Sequence, residues 1–431
     1  MNKVVERTSQ LKAYMPLQKK YLFSLFTLIL SVYLCISYTV SAPFYFHFTK
    51  EPTLTYTTVS GYHQLLADAF LHQQLHLRVV VRPELLALAD PYDPDLNAPY
   101  RILDASFFKG NYYFYFTPLI ALLFEMPFKV LSGYYLSESL LLAILCFIGF
   151  IFSVYTLRRL CYFSGVQLSK PMEVITVLTL AFGTTIPLLL NNPLVYALSS
   201  ALSYAFLMMA TFFLVNVLYR SSSDKWKLNL LIAGISLSLC FMARPNQLFS
   251  CLTLFFAFVF LFYIIRHENI KHLDIKSLFL LVPLVIIGLI MACYNFARFH
   301  SLFEFGFSYQ LRASILSPVN IMSYINSLSV LFVYLFEPWA INLTFPFIHF
   351  LNSPIALFGP AQNGYLIGLF FLPVYWLAIH PLFYISYLKQ FNSQLWISVC
   401  MFGVGCVSLF IDAVLTGATI RYMVDFLPSM L

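Results

Sequence analysis

Charge is scarce in this sequence. Only 10% of its 431 residues are Asp, Glu, Lys or Arg, where a soluble domain carries about 25%, and that shortage excludes an ordinary water-soluble globular protein. Cysteine is also sparse and poorly placed for cross-linking. Cys35, Cys146, Cys240, Cys251, Cys293, Cys400 and Cys406 lie in apolar segments, Cys161 lies beside a basic turn, and none falls in the polar stretch 47–111. This excludes a disulfide framework and a paired metal-type spacing, and leaves the cysteines as small polarisable packing residues. The histidines are scattered without a metal-type pair, and no internal repeat is visible.

What is present is mostly oil. Hydrophobic residues make up 60% of the chain, 46 of them phenylalanine, and the mean hydropathy is +0.80. Several runs reach roughly 18 or more apolar residues, the length that crosses a bilayer as a helix. The expected fold is therefore all-α, a polytopic transmembrane helical protein of about nine to ten spans. The first run, 21–46, follows Lys3, Arg7, Lys12, Lys19 and Lys20, is too long for a cleaved signal, and should leave residues 1–20 in the cytoplasm. Further spans are expected near 137–157, 172–190, 196–219, 228–243, 248–265, 277–296, 364–388 and 395–416. A tenth starts near Tyr422, and the chain ends before it could cross. Residues 112–131 are apolar too, but Pro118, Glu125, Pro127 and Lys129 interrupt them, so they are expected to lie in the interface.

This arrangement puts 15 of the 25 Lys and Arg in cytoplasmic segments, as the positive-inside rule requires. It accounts for the net charge of +7 without nucleic acid. The long loops then share the outer face. The first spans 47–136, and a second outer region, 297–363, is rich in aromatics and prolines and is expected to hold further interfacial helices.

Within the first loop, the stretch "DPYDPDLNAPYRILDASFFKGNYYFYF", Asp90 to Phe116, gathers four aspartates, one lysine, one arginine and five tyrosines. Before it, "GYHQLLADAFLHQQLHL" (Gly61–Leu77) has apolar residues at helical spacing and reads as an amphipathic helix carrying Asp68. The tyrosines suit a membrane–water boundary, where one end of the ring is apolar and the other wet. The loop thus reads as an acidic device held at the mouth of a membrane protein.

One long outer loop after the first helix, an acid within it, an amphipathic helix, the segment "YYFYFTPLIALLFEMP" and a span ending in Arg158 and Arg159 resemble the C-type glycosyltransferase superfamily. That group includes polyprenyl-phosphate-sugar-dependent transferases related to protein mannosyltransferases and the lipid A aminoarabinose transferase. "ARPN" (Ala243–Asn246), "YNFARFHSLFEFGFSYQL" (Tyr294–Leu311) and "RYMVDFLP" (Arg421–Pro428) are similar to segments of uncharacterised bacterial members. Many members carry an acidic pair just before the tyrosine that opens the first-loop helix. Here that place reads Ser60-Gly61-Tyr62, so the catalytic acid does not carry over by position. The resemblance implies a glycosyltransferase of the plasma membrane, moving a sugar from a polyprenyl-phosphate donor among the membrane lipids to a cell-envelope acceptor, whether glycan, lipid or protein.

Such a transfer needs a base for the acceptor's proton and passes through an oxocarbenium-like transition state. Asp104 and Asp68 are the candidate catalytic carboxylates. The bland alternatives are a turn or cap for Asp104 and an exposed helix charge for Asp68. Arg244 and Arg421 are candidate holders of the donor phosphate, which Arg pairs bidentately, or they simply snorkel to the interface. Tyr422 could add a hydroxyl, Asp425 could orient Arg421 from one helical turn away, and Glu304 is a candidate substrate contact. Asp93, Asp95 and Asn97 fall at positions 1, 3 and 5 of a calcium-type loop, which raises a divalent cation (Ca, Mg or Mn) as cofactor. Ala98-Pro99 stands where such a loop has its glycine, and Asp-Pro turns that shape the loop are the competing reading. The alternative function is a transporter or flippase of lipid-linked glycans, which should show ionisable residues deep in its spans.

Overall fold

A computed structural model of the chain describes residues 19–40, 48–52, 60–164, 168–191, 193–219, 226–266, 273–312, 321–337, 339–341, 348–350, 368–372, 376, 393–415 and 422–430. Among these are eight helical segments long and apolar enough to cross a membrane: Lys19–Thr39, Glu138–Phe163, Lys170–Leu190, Val195–Leu218, Trp226–Ala243, Pro245–Tyr263, Phe279–Phe299 and Trp396–Leu415. They match eight of the expected spans, because a lipid-facing segment must satisfy every backbone polar group within its own helix. The protein is an all-α polytopic membrane protein. The expected span 364–388 lies almost wholly outside the described residues.

The bundle is built around helix α7. In chain order the elements are α1 (Lys19–Val40), α2 (Tyr62–Leu71), β1 (Ser106–Phe108), β2 (Asn111–Tyr113), α3 (Met126–Ser132), α4 (Glu138–Ser164), α5 (Lys170–Phe182), α6 (Ile186–Leu190) and α7 (Val195–Tyr219). Then come α8 (Trp226–Ala243), α9 (Leu248–Arg266), α10 (Leu273–Phe299), α11 (Ile321–Phe336), β3 (Trp339–Ile341), β4 (Ile348–Phe350), α12 (Ser393–Leu415) and α13 (Met423–Met430). Helix α7 packs against α4 on one side and α8 on the other, and α8 packs in turn against α10. Its buried face is rich in small residues, among them Ala197, Ser200, Ala201, Ser203 and Ala210. Small residues let membrane helices approach closely, which is where their packing energy comes from. The same device recurs at Gly149 of α4, where a Cβ would stand 2.3 Å from the Tyr204 ring of α7, and at Gly234 of α8, where it would stand 2.7 Å from the Leu280 carbonyl of α10.

The first long loop forms a second core at one end of the bundle. Tyr62, Leu66, Leu85, Ile102, Tyr112 and Phe114 are buried there together. The amphipathic helix is present as α2. Residues 112–131 are not among the helices long and apolar enough to cross, and they are not one helix: Asn111–Tyr113 is a strand paired with Ser106–Phe108. The reason is local, since Lys109 (φ 48°) and Gly110 (φ 78°) form the left-handed two-residue turn that joins hairpin strands. A π-helical turn, Ala121–Glu125, then leads into α3. In the second region α11 is a helix as expected, while the short β3–β4 pair was not foreseen. Helix α13 has eight residues, about 12 Å of rise, and packs against α12.

Candidate functional site

A cavity of about 380 Å³ opens where the first loop meets the bundle. Its walls come from elements far apart in sequence: Tyr196 at the start of α7, Arg244 between α8 and α9, Tyr294 and Arg298 from α10, Phe307 beyond α10, and Tyr422 before α13.

Proline puts Arg244 in place. Pro245 cannot continue the hydrogen bonding of α8, and a residue before proline is driven to extended backbone. Arg244 accordingly has φ −146° and ψ 108° between two helices. Its guanidinium donates to Ser200 Oγ at 2.8 Å, forms an ion pair with Asp425 and lies 4.7 Å over the Tyr422 ring. Asn246 Nδ2 donates to Asp412 Oδ1 at 2.5 Å. The short motif "ARPN" therefore ties the α8–α9 break to α12 and α13. Asp425 is thus paired with Arg244, 181 positions away, with both side chains buried. Its expected partner, Arg421, lies outside the described residues.

Asp104 stands behind the cavity wall. Its backbone is left-handed, φ 62°, a conformation that Asp tolerates better than most residues. Its amide donates to the Leu311 carbonyl at 2.8 Å, one of the bonds that stitch the segment after α10 onto the first loop. The carboxylate accepts from Gln310 Nε2 at 2.8 Å and from the Tyr196 hydroxyl, and the Tyr196 side chain lines the cavity. Arg244, Tyr422 and, through Tyr196, Asp104 thus come together.

The other expected site residues do not join them. Asp68 is held by Arg78 at 3.0 Å and His72 at 3.4 Å, accepts from the Tyr135 hydroxyl at 3.3 Å, and is not among the cavity-lining residues. Glu304 Oε1 accepts from the amides of Gly306 at 2.6 Å and Ser308 at 3.3 Å, so it closes a turn, while its neighbours Phe305 and Phe307 reach the cavity. The residues of the calcium-type loop make hydrogen bonds within the loop and to Arg101. Asp93 caps the helical turn Pro94–Asn97 by accepting from the Asp95 amide at 2.9 Å, and Asn97 Oδ1 accepts from the Arg101 guanidinium at 2.6 Å. A cationic side chain occupies the oxygen a metal would need. Among the described residues no three His, Cys, Asp or Glu side chains gather where they could hold a metal ion.

Three side chains at the site were missed. Tyr196 looked like the first residue of a span. Asp412 is a lone carboxylate inside the last expected span, and its position within an apolar run was a usable signal. Arg298 was visible within "YNFARFH", where Tyr294 and Asn295 precede it by four and three residues and so share its helix face.

No protein-family model, curated protein or solved structure matches the chain.

Proposed function

We propose that the chain is an integral-membrane glycosyltransferase that takes a sugar from a polyprenyl-phosphate donor and passes it to a cell-envelope acceptor on the outer face of the plasma membrane. One observation carries this reading: the cavity is lined at once by two guanidinium groups, Arg244 and Arg298, by Tyr422, and by Tyr196, whose hydroxyl is hydrogen-bonded to Asp104. Guanidinium and phenol suit a lipid phosphate. A carboxylate one side chain away suits the base that accepts the acceptor's proton, once substrate displaces the Tyr196 hydroxyl. Apolar lining from Met242, Met291 and Leu415 suits the first isoprene units. The likeness to the C-type glycosyltransferase superfamily supports the reaction class, and the contacts of the two acids favour Asp104 in the catalytic role and Asp68 in a structural one.

A panel of polyprenyl-phosphate sugars, each radiolabelled in the sugar and offered together with a cell-envelope extract as the source of acceptor, tests the reading. Label should leave the lipid for one of them, and Asp104→Asn, which keeps size and loses the base, should slow that release about 100-fold or more. No release from any donor, with folded protein, would reject it.

A transporter of lipid-linked glycans is the second reading, favoured by Asp412. It is fully buried in α12 beside the broken α8–α9 junction, and buried acids and broken helices are features of ion-coupled carriers.

A further inference from the structure

We propose that Arg298, rather than Arg244, holds the charged group of the ligand in this cavity, and that this group carries a single negative charge. The proposal rests on the reading of the cavity as a donor site and assigns its charge class.

Arg298 is 3% exposed and lines the cavity. Its two terminal nitrogens donate to the Phe114 carbonyl at 2.6 Å and to Asn295 Oδ1 at 2.7 Å, and Nε is buried without a hydrogen-bond partner. The guanidinium stacks 4.0 Å from the Tyr294 ring centre and 4.7 Å from that of Phe299. These neutral contacts fix its direction and leave it without an ion pair among the described residues. The ion pairs among the described residues involve Asp68, Glu173 and Asp425, none of them with Arg298. Glu304 reaches it through space, with Oε1 already bound to two backbone amides.

Arg244 differs in the one respect that matters. Asp425 neutralises it, and Asp412 faces it as well, so among the described residues that wall of the cavity has no positive surplus. Removing a guanidinium from water is costly unless an anion accompanies it. A ligand anion in the cavity supplies that partner to Arg298, and among the described lining residues one cation without an ion pair matches one negative charge. A phosphodiester, such as the linkage in a lipid-phosphate sugar, has one. A diphosphate has more, and a free polyprenol has none.

The test uses the full chain in nanodiscs with three probes of one tail: farnesol, methyl farnesyl phosphate and farnesyl diphosphate. The diester should bind about tenfold or more tighter than farnesol, the scale of one or two charge-assisted hydrogen bonds. Arg298→Gln should erase that advantage and leave farnesol binding as it was, and Arg298→Lys should keep part of it. Asp425→Asn, which releases Arg244, should shift preference toward the diphosphate. Wild-type protein that binds farnesol as tightly as the diester would overturn the proposal even if the Gln variant does not fold. So would a folded Arg298→Gln variant with undiminished diester affinity, or a folded Asp425→Asn variant with unchanged preference. Diester binding that depends on Arg298, without sugar ever leaving a lipid, keeps the anion site and rejects the transferase. Sugar transfer with diester affinity indifferent to Arg298 does the reverse.

Discussion

Asp104 and Glu125 are two acids of the first loop with different surroundings. The Asp104 carboxylate accepts from a phenol and an amide behind the cavity wall, where the proposed transfer needs it to meet a substrate hydroxyl. Glu125 is fully buried, and its Oε2 accepts from the Leu136 amide at 3.0 Å. Burial raises its pKa to about 8, against the smaller opposing effect of that hydrogen bond. An acid whose pKa is higher folded than unfolded holds its proton in the fold while the unfolded chain releases it. Its stabilising contribution is complete below the ordinary carboxyl pKa of about 4.3 and is lost as pH rises through about 8. Thermal unfolding in detergent should therefore fall steadily between pH 5 and pH 8 (roughly the window between those two values). Glu125→Gln, neutral throughout, should have a shallower fall. Equal slopes would show that Glu125 is charged in the fold.

Elements were legible to the extent that one-dimensional patterns dictate them. Apolar length marked the spans, alternating helical spacing marked α2, and the Arg-Pro step marked the α8–α9 break. What the patterns do not encode is which side chains meet. Asp425 pairs with Arg244, a partner 181 positions away that sequence proximity does not suggest. Asp93, Asp95 and Asn97 have calcium-loop spacing, yet their backbone closes as a capped turn. The hairpin Ser106–Tyr113 was hidden because its aromatic residues serve a strand as well as an interface. Helix contacts follow a similar logic, with small residues admitting large partners. Gly149 receives the Tyr204 ring, which is 3% exposed and has its hydroxyl 3.1 Å from Ser153 Oγ, so it has nowhere to move. Gly149→Ala should destabilise the bundle by about 1–3 kcal/mol, read as a lower unfolding midpoint. An unchanged midpoint would mean that the α4–α7 contact is looser than the geometry requires.

For the whole molecule, the proposed function needs the cavity end of the bundle to face outward. Basic flanks argue for that orientation, and the long first loop and the segment after α10 share one end of the bundle, joined by the Leu311–Ala105 and Asp104–Leu311 hydrogen bonds. Single cysteines introduced between positions 90 and 110 should react with an impermeant reagent added outside cells, and those at 220–227 should not. The reverse pattern would invert the protein and remove the site from the outer face. The central claim is that a bond between sugar and lipid phosphate is broken in this cavity. Proteoliposomes holding a polyprenyl-phosphate sugar labelled with tritium in the sugar and with ³²P in the phosphate, supplied with a cell-envelope extract as acceptor, test it most directly. A transferase separates the two labels, the tritium passing to acceptor while the ³²P stays with the lipid, and Asp104→Asn should abolish the separation. Labels that remain joined, whether or not the lipid changes leaflet, would contradict the account.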